Sequence, residues 1–250
     1  MTLIAAFVSS WFLLVSSVAP AQPQAPSPDA ILVRVDLNAI SGTKVILSEM
    51  VIHSRRDTRS VKAKSWIQGA DKAFTEYLDP PREKGTKMLK LGDQLWMYSP
   101  STDRTISISG HMLRQSVMGS DLSYEDMMED RKLRDAYEAK VIDEESLLER
   151  PCWVLELVAK SDDVSYYSRK VWVDKDRYVL LREDRFAKSG KLLKTLEVKS
   201  VVRVRDHWIP NVLVFRDVLK QGNGTEFRVE SVEFDVAIPD YVFTKASLRK

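Results

Sequence analysis

A mainly β fold with few helices, of the α+β class, is predicted by three features of this 250-residue chain. Apolar and polar residues alternate with period two along most of its length, in short runs separated by clusters of Gly, Pro, Asn, Asp or Ser. Helix signals stand only near the start and near the middle. Most alternating runs have one apolar and one charged side. That pattern fits an antiparallel sheet wetted on one face and curled around something apolar on the other.

The gross composition narrows the class further. Apolar residues make up 44% and charged residues 30%, as in ordinary globular proteins. The length suits one large β domain or two small ones, and no internal linker or long repeat divides it, so a single domain over residues 29–250 is expected. A net charge of +2 offers no bulk field to hold a polyanion, so no nucleic-acid partner is expected. The lone Cys152 cannot form an internal disulfide and, inside an apolar run, reads as a small core hydrophobe.

Residues 1–21 carry no charged side chain, hold an apolar core from Leu3 to Val15 and end with Ala19 and Ala21 as an A-x-A pair. They read as a signal peptide cleaved after Ala21. The apolar run is shorter than the roughly 20 residues a spanning helix needs. The basic residue that usually precedes such a core is missing, which leaves an upstream start or an uncleaved anchor as alternatives. No cysteine follows the cleavage point, so the chain is not expected to be a lipoprotein itself. Residues 22–28, rich in Pro, Gln and Ser, read as a flexible N-terminus.

Asp29 is expected to cap a helix carrying Ile31, Leu32, Val35 and Ile40 on one side and ending near Gly42. Strands follow at 44–54, 59–68 and 72–78, until Pro80-Pro81 stops the sheet; 82–90 reads as a polar connection or short helical excursion. Next come strands at 93–98 and 105–109, joined by a turn at 99–103. A Met-containing apolar tract (Met112, Leu113, Val117, Met118) is then broken by Gly119. Ser123 and Asp126 form a capping box that opens a short helix over 124–129. A strand at 137–142 leads into an acidic loop containing Asp143, Glu144 and Glu145. Further strands are expected at 152–160, 167–173, 177–186, 192–204, 207–217 and 225–236. About ten strands at this spacing suggest a sandwich or barrel.

Catalytic machinery is not visible. His53, His111 and His207 are scattered, and no nucleophile elbow, phosphate-cradling loop or metal-ligand spacing occurs. No enzyme activity, cofactor or metal is expected. The six Trp and eight Met are more informative. Methionine is unbranched and adaptable, which suits a surface accepting variable apolar ligands, although ordinary core packing accounts for any one of them alone. Their concentration over 112–128, flanked by Gly110 and Gly119, points to a soft apolar flap.

The segments YLDPPREKGTKMLKLGDQLWMYSP, DRTISISG and RQSVMGSDLSYEDM resemble the outer-membrane lipoprotein-sorting family, relatives of the LolA carriers. The similarity runs from Asp29 to the C-terminus and is most specific at MGSDLSYEDM, residues 118–127. The resemblance implies an unclosed antiparallel β-barrel with a helical lid over a hydrophobic cavity. It further implies a periplasmic, non-enzymatic carrier that shields the acyl chains of a lipoprotein or envelope lipid between the inner and outer membranes. Its implied partners are an acylated lipoprotein or lipid cargo, an inner-membrane exporter and an outer-membrane acceptor, with the carrier a monomer. The cavity and lid residues expected here are Trp96, Tyr98, Ile106, Ile108, Met112, Met118, Tyr124 and Met127. An arginine latches the lid in such carriers, and Arg104 and Arg114 are candidates for that role. The GSDLSYEDM signature departs from the best-known carriers, which leaves the choice between lipoprotein and another lipid open. The alternative reading is a LolA-like sensor module that binds a protein partner.

Overall fold

The computed structural model describes residues 25–39, 42–129 and 132–250. Six strands precede the middle of the chain: β1 (Thr43–Ser54), β2 (Thr58–Gln68), β3 (Lys72–Asp79), β4 (Lys87–Leu91), β5 (Gln94–Ser99) and β6 (Arg104–Ile108). Seven follow it: β7 (Tyr137–Leu147), β8 (Arg150–Ala159), β9 (Ser168–Asp174), β10 (Leu180–Phe186), β11 (Leu192–Val204), β12 (His207–Asp217) and β13 (Gly222–Phe234). Among the described residues all 13 belong to one sheet in the order β6-β5-β4-β3-β2-β1-β13-β12-β11-β10-β9-β8-β7. Every pairing is antiparallel. Two meanders therefore meet where β1 pairs with β13, and the curled sheet stays open between β6 and β7.

The segment between those two free edges carries α2 (Tyr124–Met128) and α3 (Leu133–Ala136), preceded by tight 3-10 turns at Gly110–Arg114 and Val117–Gly119. The capping box that opens α2 is present: the Ser123 hydroxyl accepts from the Asp126 amide, and the Asp126 carboxylate accepts from the Ser123 amide. The longest helix, α1 (Pro28–Ala39), is capped by Ser27 instead of Asp29, its hydroxyl oxygen accepting from the Ala30 amide at 3.2 Å. Pro28 then occupies the first helical position, where its missing amide hydrogen costs nothing. The expected helical residue Ile40 and the expected signal segment at 1–21 lie outside the described residues.

Two further expectations are corrected. The supposed polar connection at 82–90 contains strand β4, in which Met88 and Leu89 are buried toward opposite faces between flanking lysines. A strand buried on both sides has no simple alternation, so its period was unreadable. The acidic residues Asp143, Glu144 and Glu145 continue strand β7 instead of forming a loop. They stand on a sheet edge, where charge opposes pairing with another chain.

Packing divides the two faces. On the inner face, α1 lays Ile31, Leu32 and Val35 against Leu155, Leu157, Val171 and Val173. Each such fully buried side chain contributes about 1.5–3 kcal/mol of transfer free energy. Farther along that face, Met50, Ile52, Val61, Tyr77, Met88, Leu95 and Ile108 form a second cluster, capped by Val117 and Tyr124 from the connecting segment. On the outer face, Phe243 and Leu248 of the C-terminal segment cover Phe74, Leu89 and Trp96. Cys152 is buried within a third cluster.

Candidate functional site

The inner space is set by a split in the sheet. The ladder between β12 and β13 runs only from Val212–Arg228 to Phe215–Thr225, although β12 begins at His207 and β13 continues to Phe234. Pro210 lies just beyond the last pair and has no amide hydrogen to donate, so it cannot carry a central ladder forward. Asn211 beside it has a buried Oδ1 with no partner among protein atoms. The strands separate here. An apolar cavity of about 240 Å³ occupies the opening, walled by Ile46 of β1, Trp208 and Ile209 of β12, and Val232 and Phe234 of β13.

Helix α1 roofs this cavity with Val35, Asn38 and Ala39. Asn38 is fixed there, its Nδ2 donating to the carbonyls of Arg177 (2.8 Å) and Tyr178 (3.1 Å). Across the helix lies a second cavity of about 360 Å³, bounded by Ile67, Ala73, Met127 and Leu133. Val35, Ala39 and Leu180 line both, so α1 and Leu180 divide one largely apolar space. The polar groups of the second cavity are Asp36, Lys90, Glu129 and Arg169. Asp36 accepts from the Leu133 and Arg134 amides at 2.9 and 3.1 Å, which ties the start of α3 to α1. Burial pushes its carboxyl above the ordinary value against those two hydrogen bonds.

The motif MGSDLSYEDM, read as lid, is a clamp on the sheet. Asp121 accepts from the Asp217 amide at 3.0 Å and from the Thr225 hydroxyl at 2.7 Å, while its own amide donates to Thr225 Oγ1 at 2.9 Å. Lys220 donates to the Ser120 carbonyl, and Arg59 of β2 donates to the Met118 carbonyl. Asp126 does most. Its carboxylate accepts from Tyr166 (2.6 Å) and Arg185 (2.9 Å) and pairs with Lys194. Arg185 also binds Glu183 at 2.9 Å; Glu183 binds Arg169 at 2.6 Å, and Arg169 reaches Glu129. Burial alone would raise the Asp126 and Glu183 carboxyls. Arg185 and Lys194 hold Asp126 down to about 2, and Arg185 and Arg169 hold Glu183 at about 2.

The expected cavity and lid residues are distributed unequally. Ile108, Met112, Met118 and Tyr124 come together in the second inner cluster, packed on the sheet and apart from either cavity. The Tyr124 hydroxyl meets Met97 Sδ at 3.5 Å. Ile106 is 39% exposed at the free edge, and Met127, 37% exposed, lines the larger cavity. Trp96 and Tyr98 are corrected to the outer face. The β5–β6 register pairs Trp96 with Ser107 and Met97 with Ile106, so Leu95 and Met97 point inward. Trp96 packs under Phe243 and Leu248, with the Lys245 amine 4.0 Å from its ring centre. A one-residue difference in hairpin register sends every side chain to the other face. The arginines that hold the lid are Arg59 and Arg185; Arg104 and Arg114 are exposed.

Sequence reasoning missed Trp208, Ile209, Val232 and Phe234. One signal was available. The sequence of strand β12 is apolar on both sides around Pro210, and in the structure most of its residues are only half-buried. Such a strand faces space that side chains do not fill.

Comparison with solved structures places this architecture. A putative outer membrane lipoprotein-sorting protein domain from Vibrio parahaemolyticus has a TM-score of 0.73 at 24% identity, covering 84% of this chain and 92% of its own. A DUF1329 family protein from Desulfovibrio piger has a TM-score of 0.82 at 24% identity, covering 88% of this chain and 97% of its own. A LolA superfamily protein from Nitrosomonas europaea reaches 0.73 at 21% identity, covering 89% of this chain and 100% of its own. At these identities the likeness is one of fold. Comparison with curated proteins found no match. A family model described as "Uncharacterized protein" matches residues 69–250, most of the chain; the protein belongs to that family, and its fold is LolA-like.

Proposed function

We propose that this protein is a periplasmic, non-enzymatic carrier that shields an acyl chain of a lipoprotein or envelope lipid during transfer between the inner and outer membranes. The observation that carries the reading is the apolar cavity at the β12–β13 split, roofed by α1, in a LolA-like sheet. Hydrating each CH₂ of a chain costs about 0.8 kcal/mol, so a long acyl group crosses an aqueous compartment only inside a protein wall. At about 240 Å³ the cavity lies just below the roughly 300–1,000 Å³ range of ligand pockets, so it takes part of one chain as it stands and widens on α1 movement for a larger cargo. Loading from an inner-membrane exporter and release to an outer-membrane acceptor complete the proposal.

Native mass spectrometry on protein purified from the periplasm without detergent, followed by lipid extraction, tests it. The expected result is a stoichiometric lipid or acylated peptide. A clean apo mass together with no uptake of a fluorescent acyl probe would overturn the reading.

A further inference from the structure

Lys44 is the charged side chain among the residues lining the apolar cavity. Lys44, the second residue of β1, stands on its wall opposite Phe234 in the β1–β13 register. Its amine donates to the Ala39 carbonyl at the end of α1, 3.2 Å away, and no carboxylate among the described residues pairs with it. Burial pushes the ammonium below its ordinary value, as expected for a charge facing apolar walls without a counter-ion. Two further cations touch residues of the cavity wall. The Arg177 guanidinium lies 4.0 Å from the centre of the Trp208 ring, and Arg205 donates to the Phe234 carbonyl at 3.3 Å. Arg177 has a carboxylate, Asp174, 3.9 Å away; Arg205 has no ion pair among the described residues.

We infer that the cavity takes an amphiphile with one acyl chain and an anionic headgroup, carboxylate or phosphate, whose charge meets Lys44 on the cavity wall. This rests on the carrier reading and deepens it. The apolar walls hold the chain and reward length without regard to headgroup. A desolvated ammonium distinguishes headgroups, because an anion supplies the missing counter-charge and a neutral glyceride does not. The contact of Lys44 with the last turn of α1 gives headgroup binding a direct mechanical link to the helix that roofs the cavity.

Displacement of a bound fluorescent acyl probe by dodecanoate, dodecyl phosphate and neutral dodecanoylglycerol tests this on the full chain. The anionic ligands are expected to bind about tenfold more tightly than the neutral one, as a charged hydrogen bond implies. Raising the ionic strength should narrow that ratio in the unaltered protein, whatever any variant does. In Lys44→Gln the anionic-to-neutral affinity ratio should fall to near one; a purely structural role in capping α1 would weaken both kinds of ligand alike and leave the ratio unchanged. Carboxylate and phosphate are told apart by which of the two binds tighter. Equal affinity for anionic and neutral ligands in the unaltered protein would overturn the headgroup inference and leave the carrier reading standing. Failure of the probe itself to bind would overturn both.

Discussion

Asp126 of helix α2 and Arg185 of strand β10 form a buried ion pair, Oδ1 to Nη1 at 2.9 Å, that joins residues 59 apart in the chain. The same carboxylate completes the Ser123 capping box and meets Lys194 and Tyr166. One side chain thus both starts the lid helix and fastens it to the inner face. Three cations (Arg169, Arg185, Lys194) balance three anions (Asp126, Glu129, Glu183) in this network. The charges are matched even though Nε of Arg169 and of Arg185 is buried without a partner among the described residues, and a lid shifted by one turn would leave buried charge unpaired.

Asp126→Asn should therefore loosen the lid more than the sheet. Breaking one partner of a buried pair costs about 3–5 kcal/mol, because the remaining charges stay desolvated. Hydrogen exchange is expected to show faster exchange over 116–128, with the β8–β9 amides still protected. Uniform loss of protection along the whole chain would show that the lid and sheet unfold as one unit.

Acid should have the same effect. The Asp126 and Glu183 carboxyls are held at about 2, below their ordinary values, so their stabilisation is fully present above the unfolded values and is lost as pH falls toward 2. Each contributes on the order of 2–3 kcal/mol at neutral pH. The urea midpoint should be level from pH 7 to about 5 and drop steeply below about 4. In Asp126→Asn the acid drop should be shallower, starting from a lower plateau. An unchanged acid slope would remove Asp126 from the pairing network.

Two tryptophans separate core from cavity. Trp96→Ala removes a buried ring from beneath the C-terminal segment and should cost about 3–5 kcal/mol in urea unfolding, with acyl-probe affinity unchanged. Trp208→Ala opens a half-buried wall of the cavity; it should cost less stability and weaken probe binding several-fold. The reverse pattern would place the ligand on the outer face.

What could be read from sequence was what is local. The Ser123–Asp126 box spans four residues, and its hydrogen bonds follow from that spacing alone. The period of β1 was legible for the same reason, and Ile46, Met50 and Ile52 do share the inner face. The partners of Asp126 were not legible, because Arg185 and Lys194 arrive from strands whose order no local rule sets. Trp96 and Tyr98 lie on the other face because hairpin register decides it: a five-residue turn at 99–103 would set Trp96 opposite Ile106, whereas the four-residue loop sets it opposite Ser107. Pro210 was visible, but its consequence requires knowing that β13 is the neighbour it fails to pair with.

Photo-cross-linking with a diazirine-bearing fatty acid, followed by peptide mapping, locates the cargo. Cargo at the split between β12 and β13 should give adducts at Trp208 and Ile209 and at Val232 to Phe234, reduced by excess unlabelled fatty acid. Adducts confined to Met112, Met118 and their neighbours under the lid would contradict it and return the site to the Met-rich tract.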